Sequence, residues 1–412
     1  MPESIIYLLL AVCMVGIALG RLPLFRMNRA SIALVSATLL IAFKAITLDQ
    51  AAAAIDLGTI VLLLAMMLVV ANLRLAGFFS LAGARILAAA RGPRQLLALV
   101  ILASGFLSAL FLNDTVCLML TPLVGDLALR SRRDPLPYLI ALATAANVGS
   151  CATIVGNPQN MLIGAASKIP FGVFFSRLGP PSLLGLAVCW VTIALAFPDE
   201  FRKGQVLLPP RAAAGPMDRR LAIKSLAATL VMLALLLAGV SPALSALVAA
   251  TTLLITRRIA PEKVFAEVDF TLLVFFASLF VVTAAFGRTP LFAAVLAAVR
   301  PFLEQGGTWS RSALSLFTLA ASNLVSNVPT VMLLRPLVDT MSDRTTAWLL
   351  LAMASTYAGN LTLLGSVANL IVAEGARPLG IRLSFGSYLK AGVPITLLTA
   401  FIGNAWLLFV HC

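Results

Sequence analysis

Long apolar stretches run from one end of the chain to the other and constrain its fold more than any other feature. A membrane-spanning helix needs about 20 consecutive, mainly apolar residues. Hydrophobic residues make up 61% of the 412 residues and charged residues only 11%, less than half the charged share usual in soluble domains. The sequence therefore predicts an all-α polytopic membrane protein. The apolar stretches lie at residues 4–20, 30–47, 56–73, 173–197, 221–239, 269–286 and 391–410.

The basic residues of the chain indicate how it is threaded through the membrane. Its formal net charge of +14 would suit a nucleic-acid partner, but basic residues also collect in the cytoplasmic loops of membrane proteins. Threading that starts with Arg21, Arg26 and Arg29 inside places most of the 30 basic residues inside. We therefore predict no nucleic-acid partner, contact with membrane lipid, a multi-pass location in a bacterial inner membrane, and both termini outside.

This threading requires two further apolar segments to enter and leave the membrane on the same side. They lie at about 95–129 and about 311–341, and polar residues around Asn113 and Asn327 interrupt each near its middle. Non-helical backbone at membrane depth survives only when it is buried in protein or lines a watery cavity. We therefore predict about ten transmembrane helices plus two re-entrant helical hairpins.

The two halves of the chain share four landmarks in the same order. Each half has a long apolar stretch opening on Asp, then a hairpin with an Asn nine residues before a Pro, then a Thr-Gly-Asn spacing, and finally Gly-x-Pro. Since the threading puts the first hairpin (about 95–129) inside and the second (about 311–341) outside, the predicted repeat is inverted, as is typical of alternating-access transporters. The predicted parts are an N-terminal membrane half (1–197), a flexible cytoplasmic linker (198–220) and a C-terminal membrane half (221–412).

Four polar elements are predicted to converge: the two hairpin tips and two interrupted spans near 147–160 and 356–369. Broken helices expose N–H groups, which attract anions, and carbonyl groups, which suit cations. Asn, Ser and Thr offer both donors and acceptors. The alternative is that these side chains only satisfy the broken helix ends. The candidate substrate-binding residues are Asn113, Thr115, Asn157, Asn160, Ser326, Asn327, Thr330, Thr362, Ser366 and Asn369.

Two charged residues of the hairpin segments, Asp114 and Arg335, are predicted to lie within the membrane, whereas Asp126 and Asp339 near the hairpin ends are predicted to lie at its interface. An acid deep in a membrane segment is costly and is a functional candidate by default. Asp114 could bind Na⁺ as a carboxylate, carry H⁺ by titrating, or be held structurally by helix-end N–H groups. Arg335 could attract an anion, or pair with an acid or with backbone carbonyls.

Enzymatic chemistry is not expected. The only histidine is His411, next to the C-terminus, and the five cysteines show no metal or redox spacing. The sequence contains no phosphate-binding glycine loop, so we do not expect ATP to drive this chain directly. We predict no metal site and no cofactor, apart from Na⁺ if that is the coupling ion.

These motifs resemble the ion transporter superfamily, which includes divalent-anion:sodium symporters and arsenite/antimonite permeases. The resemblance covers almost the whole chain from about residue 50. Dicarboxylate symporters carry Ser-Asn-Thr at each tip, whereas this chain has Leu-Asn-Asp at 112–114 and Ser-Asn-Val at 326–328. Asn-Asp followed by Leu-Thr-Pro at 120–122, with Asn-Val-Pro-Thr-Val at 327–331, is similar to the arsenite permease branch. The resemblance implies secondary transport, which can be proton-coupled, with sites at the hairpin tips and often a homodimer.

The sequence therefore predicts a secondary active transporter of a small inorganic or organic anion, or oxyanion, coupled to H⁺ or Na⁺. Three alternatives remain open. The chain could be an arsenite/antimonite exporter, a Na⁺/H⁺ antiporter in which Asp114 exchanges the ions, or a passive anion channel. The channel is disfavoured because a channel needs no inverted pair of hairpins.

Overall fold

The computed structural model describes residues 3–19, 27–202, 217–255, 259–304 and 306–409. In these ranges the regular structure consists of twenty α-helices and one short 3₁₀ helix. Five helices are long and apolar enough to cross a membrane alone, and a sixth span results if the helices at Phe270–Phe286 and Pro290–Leu303, bent by 79°, count as one. The prediction of an all-α polytopic membrane protein is confirmed.

The twenty α-helices form two sets of ten with the same order of long and short members. The first set is α1 (Glu3–Leu19), α2 (Arg29–Ala42), α3 (Leu48–Ala54), α4 (Leu57–Leu75), α5 (Phe78–Ala88), α6 (Pro93–Leu110), α7 (Asn113–Arg130), α8 (Pro135–Ser150), α9 (Pro158–Ser167) and α10 (Phe171–Ala196). The second set is α11 (Arg219–Leu237), α12 (Pro242–Leu254), α13 (Pro261–Ala266), α14 (Phe270–Phe286), α15 (Pro290–Glu304), α16 (Gly307–Val325), α17 (Asn327–Val338), α18 (Arg344–Ala358), α19 (Val367–Ala376) and α20 (Phe385–Phe409).

Matching helices have matching roles in the two sets. The third member, α3 or α13, is short, whereas the tenth, α10 or α20, is long and contains proline. The sixth and seventh members form the predicted hairpins, and the eighth and ninth form the predicted interrupted spans. The repeat therefore extends over all ten helices of each set.

The fourth members, α4 and α14, show that the repeat is inverted. Asp56, which caps the start of α4, lines one cavity together with Arg288, which follows the end of α14. At the opposite ends of the two helices, Arg74 of α4 forms a salt bridge of 2.7 Å with Glu267, which precedes α14. The two helices therefore run antiparallel. The halves also interlock, since α2 packs on α14 and α12 packs on α4.

The first hairpin closes against the interrupted span of its own half. The backbone N–H of Asn113, at the start of α7, donates to the carbonyl oxygen of Gly156 at 3.0 Å. Gly149 of α8 lies against the backbone of Gly105 of α6, where an added Cβ would come within 2.2 Å of the Gly105 carbonyl oxygen. The hairpin tip is therefore fixed inside the protein.

The second hairpin turns at a single residue, Ser326, between α16 and α17. Ser326 has φ 80° and ψ 160°, a conformation that is almost confined to glycine and costs on the order of 1–3 kcal/mol. Such a residue persists only where the surrounding structure holds it, and it often lies at a binding site.

Most of the predicted linker, residues 203–216, lies outside the described residues, as do Arg21 and Arg26. The segment before it is anchored: the Glu200 carboxylate accepts hydrogen bonds from the Tyr138 hydroxyl at 2.7 Å and from the Asp134 backbone N–H at 3.2 Å. The division at the linker stays a prediction.

Candidate functional site

The starts of four helices converge on one small cavity, which we call the tip cavity. These are α7 and α17 from the hairpins, and α9 and α19 from the interrupted spans. The cavity has a volume of about 50 Å³, and a single water needs roughly 10–15 Å³ of such volume. Its lining residues are Asn113, Asp114, Pro158, Gln159, Leu272, Phe275, Phe276, Ser326, Asn327, Val328, Gly365, Ser366 and Val367.

The electrostatics of the tip cavity come from helix ends and from one acid. Each helix N-terminus has a partial positive charge and unpaired N–H groups, so four of them together attract negative charge. None of these described lining residues is Lys, Arg or His. The cavity can therefore accept a small anion or a hydroxylated acid through dipoles and hydrogen bonds, but it has no side-chain cation to neutralise several negative charges.

Asn147, near the end of α8, connects the first half of the chain to the second behind the tip cavity. Its Oδ1 accepts hydrogen bonds from Asn113 Nδ2 at 3.0 Å and from Ser366 Oγ at 3.1 Å. Its Nδ2 donates to Asn360 Oδ1 at 2.8 Å and to Asn369 Oδ1 at 3.0 Å. Only 2% of Asn147 is exposed, so the interior supplies all the hydrogen bonds this amide needs.

Thr356, near the end of α18, makes the corresponding connection from the second half back to the first. Its hydroxyl oxygen accepts hydrogen bonds from Asn157 Nδ2 at 3.3 Å and Gln159 Nε2 at 3.2 Å. The hydroxyl donates to Asn160 Oδ1 at 3.5 Å. Each interrupted span is thus hydrogen-bonded to the side chains of the other.

Asn160 and Asn369 hold the two interrupted spans in the same way. Asn160 Nδ2 donates to the carbonyl oxygens of Ser150 at 3.2 Å and Thr153 at 2.9 Å. Asn369 Nδ2 donates to those of Gly359 at 2.7 Å and Thr362 at 3.1 Å. These amide nitrogens satisfy broken helix ends, which is the structural alternative considered for the predicted set.

Two amide oxygens at the hairpin tips have no partner among the residues that the structure describes. Asn113 Oδ1 and Asn327 Oδ1 are buried and accept no hydrogen bond within the described part of the chain. Buried polar atoms are nearly always paired in native proteins. A polar solute or a cation in the tip cavity would supply the missing partner.

Asp114, in the first turn of α7, is the only charged residue among the described lining residues of the tip cavity. Arg29 at the start of α2 and Asp269 before α14 are close enough to interact with it electrostatically. Asp114 forms no ion pair within 4.0 Å in the described ranges. Its charge is therefore open to change with the contents of the cavity.

The comparisons with known proteins agree with this architecture. The sequence profile of the citrate transporter family, CitMHS, matches residues 9–358. The chain belongs to this family. The predicted resemblance to the ion transporter superfamily is thereby confirmed, and the chain is a membrane transporter.

Relatives in this superfamily align over nearly their whole length. The silicon efflux transporter LSI3 of Oryza sativa subsp. japonica is 33% identical, over 92% of this chain and 92% of its own. The putative transporter arsB of Dictyostelium discoideum is 27% identical, over 91% of this chain and 86% of its own. The crystal structure of the YdaH transporter of Alcanivorax borkumensis has the same fold, with a TM-score of 0.58, 15% identity, and coverage of 98% of this chain and 95% of that one.

The structure brings four of the ten candidate substrate-binding residues to the lining of the transporter's tip cavity. These four are Asn113, Ser326, Asn327 and Ser366, and the predicted coupling residue Asp114 lines the cavity with them. Asn157, Asn160 and Asn369 lie behind the cavity in the hydrogen-bond network, and the Thr362 carbonyl accepts from Asn369.

The other candidates lie away from the tip cavity. The half-buried Thr115 does not line it, and the hydroxyl of Thr330 donates to the Ser326 carbonyl oxygen of its own helix at 2.9 Å. Arg335 is exposed and lines a second, larger cavity.

Sequence reasoning missed three side chains of this site: Asn147, Gln159 and Thr356. Gln159 follows Pro158 directly and lines the tip cavity. Asn147 lies in an otherwise apolar run of α8, and an amide inside a membrane segment is itself a signal of function. That signal could have identified Asn147, but not its partners.

Proposed function

We propose that this chain is a secondary active transporter of a small anion or oxyanion, which it binds in the tip cavity and moves by alternating access. The convergence of four helix N-termini on one cavity lined by amides and hydroxyls supports this proposal best. Helix N-termini attract anions without a basic side chain. The inverted repeat with interrupted helices in matching places is the architecture of such transporters.

The size and charge of the tip cavity favour an inorganic oxyanion, or its undissociated acid, over citrate. About 50 Å³ has room for roughly three to five waters, which suits a solute of a few heavy atoms. Citrate would bring several negative charges beside Asp114 into a space without a basic side chain, and unpaired charge at membrane depth is costly. The name of the silicon efflux relative agrees with a small oxyacid as substrate and with export. Arsenite and antimonite, which the resemblance of the hairpin motifs implies, are also small oxyacids.

Asp114 is the proposed coupling residue, with H⁺ as the coupling ion. It is the acid of the tip cavity, and it lies in the first turn of α7, where a helix N-terminus interacts with its charge. Binding or releasing a proton there changes the charge that an incoming anion meets. This links occupancy by the anion to occupancy by the proton.

Na⁺ is a second candidate for the coupling ion, because of the unpaired oxygens. Asn113 Oδ1, Asn327 Oδ1 and the Asp114 carboxylate all belong to residues that line the tip cavity. Carboxylate and amide oxygens are the ligands that hard cations take. A Na⁺/H⁺ exchange at Asp114 is compatible with the same geometry.

The test is transport by purified protein in liposomes, with a pH gradient and a Na⁺ gradient imposed separately. Arsenite, antimonite, silicic acid, phosphate and citrate form the substrate panel. We expect a small oxyacid to accumulate under the pH gradient and citrate not to accumulate. Absence of gradient-driven accumulation of every small oxyacid would refute the proposal, and accumulation only under the Na⁺ gradient would make Na⁺ the coupling ion.

Asp114→Asn tests the coupling residue because it keeps the shape of the side chain but cannot titrate. We expect it to abolish accumulation while exchange of bound substrate continues. Asp126→Asn is the matched control, since Asp126 lies on the same helix and pairs with Arg130 at the surface. If Asp114→Asn still concentrates substrate under a pH gradient, Asp114 is not the proton carrier.

We further propose that the transporter lies in a bacterial inner membrane with both termini outside, and that it works as a homodimer. The threading that places most basic residues inside supports the orientation.

A further inference from the structure

A second cavity lies at the opposite end of α14 from the tip cavity. Its volume is about 420 Å³, and three charged residues line it: Asp56, Arg288 and Arg335. We call it the arginine vestibule. The predicted threading places this end of the molecule outside the cell.

One face of α14 runs from the tip cavity to the arginine vestibule. Leu272 and Phe276 line the tip cavity, whereas Phe280, Thr283 and Gly287 line the vestibule. Successive members of this series are three or four residues apart, so they lie on the same face of the helix. The two cavities are therefore consecutive along α14.

Helices α9 and α17 lead between the same two cavities. On α9, Gln159 lines the tip cavity and Leu162 lines the vestibule one turn later. On α17, Val328 lines the tip cavity, and Met332 and Arg335 line the vestibule at the next two turns. Three helices thus border both cavities, with apolar side chains at the level between them.

Arg335 differs from the other two charged residues of the vestibule in the hydrogen bonding of its side chain. Its guanidinium group makes no hydrogen bond or ion pair within the described ranges. The Asp56 carboxylate accepts the Thr59 backbone N–H at 2.9 Å as a helix cap, and the Arg288 guanidinium donates to Gln50. A guanidinium group that lines a cavity and has no partner among the described residues offers donors that match an oxyanion.

We infer that the arginine vestibule is a second anion site, at which Arg335, assisted by Arg288, binds the small oxyanion on its way to or from the tip cavity. This inference rests on the proposed function, because it treats the tip cavity as the neighbouring binding site on the same transport pathway. The vestibule supplies guanidinium groups, whereas the tip cavity supplies helix ends. The anion thus meets a site with guanidinium groups before or after it meets a site in the interior whose described lining has no basic side chain.

A labelling experiment tests the vestibule without relying on transport. Ala284 of α14 lines the vestibule, so Ala284→Cys places a thiol there. Of the five native cysteines, Cys13, Cys117, Cys151 and Cys189 are buried, and Cys412, which lies outside the described residues, is replaced by Ser in every variant. The full-length protein in detergent is treated with an anionic or a cationic methanethiosulfonate reagent, and the two reaction rates are compared. We expect Arg335→Gln to slow the anionic reagent about fivefold and to speed the cationic reagent by a similar factor, the effect of one unit charge at about 4 Å in water. The anionic-to-cationic rate ratio should therefore fall roughly 25-fold.

Arg344→Gln is the matched control, because Arg344 pairs with Asp339 beyond the end of α17 and does not line the vestibule. It should leave the rate ratio unchanged. Phosphate and sulfate, which do not react with thiols, should slow the anionic reagent more than chloride at equal ionic strength. An unchanged ratio in Arg335→Gln, an equal change in Arg344→Gln, or no protection by either oxyanion overturns the site.

The labelling result and the transport result can fail separately. If labelling behaves as expected but no small oxyacid moves in liposomes, the anion site stands and the proposed function falls. Suppose instead that an oxyacid is transported but Arg335→Gln leaves unchanged both the labelling rate ratio and the KM for transport of that oxyacid. The proposed function then stands, and the vestibule is not an anion-binding site on the pathway.

Discussion

Replacing Asn147 with Ala should destabilise the transporter more than any single replacement at the hairpin tips. Asn147 makes four side-chain hydrogen bonds, and all four partners belong to other elements of the site. The change leaves the amide oxygens of Asn360 and Asn369 without donors. It also leaves Asn113 Nδ2 and Ser366 Oγ without an acceptor.

The expected magnitude follows from these four stranded groups. Side-chain hydrogen bonds within membrane proteins average about 0.6 kcal/mol each, which gives roughly 2.4 kcal/mol for four. Leaving a buried group unpaired costs about 1–3 kcal/mol, and Asn360 and Asn369 are both 0% exposed. We therefore expect a loss of about 2–5 kcal/mol in the free energy of unfolding.

Thermal unfolding of the purified protein, followed by the fluorescence of its four tryptophans, measures the effect. Asn72→Ala is the matched control, because Asn72 is also 0% exposed but makes one hydrogen bond, to the Leu68 carbonyl oxygen of its own helix at 2.8 Å. We expect Asn147→Ala to lower Tm by several degrees and Asn72→Ala to change it little. Equal Tm values for the two variants would show that the four side-chain hydrogen bonds of Asn147 contribute no net stability.

Asn113→Ala and Asn327→Ala remove amide groups from the tip cavity, so each should weaken substrate binding about ten- to a hundred-fold while expression survives. Transport at the wild-type rate by both variants would show that these two amide groups have a structural role and do not bind substrate. The threading is tested by introduced cysteines: those in the linker 198–220 should react with an impermeant reagent only from the cytoplasmic side, and those at 303–308 only from outside. Labelling of both regions from one face would contradict the predicted orientation.

The sequence predicted the parts of the fold that depend on local spacing. Polar residues around Asn113 and Asn327 interrupt apolar runs, and the hairpins turn within two residues of them, at 111–112 and at Ser326. The landmarks shared by the two halves predicted the repeat, because matching breaks in matching places need the same order of residues.

Contacts between the two halves could not be predicted in this way. Asn147 bonds to Asn360 and Asn369, and no local pattern indicates which distant side chain an amide will meet. Arg335 was singled out as an intramembrane charge, but α17 carries it eight residues beyond Asn327. That is about 12 Å at 1.5 Å per residue, which moves it from the tip cavity to the arginine vestibule.

The interlocking of α2 with α14 affects the order in which the chain can be completed during synthesis. Roughly 240 residues separate the starts of Arg29–Ala42 and Phe270–Phe286, and a ribosome adding about 5–20 residues per second needs about 10–50 s to bridge them. Until then lipid must cover the face of α2 that later contacts α14. The first half therefore lies in the bilayer without its contact to α14 until that helix has been synthesised. A ribosome that stalls before residue 270 leaves α2 without this contact.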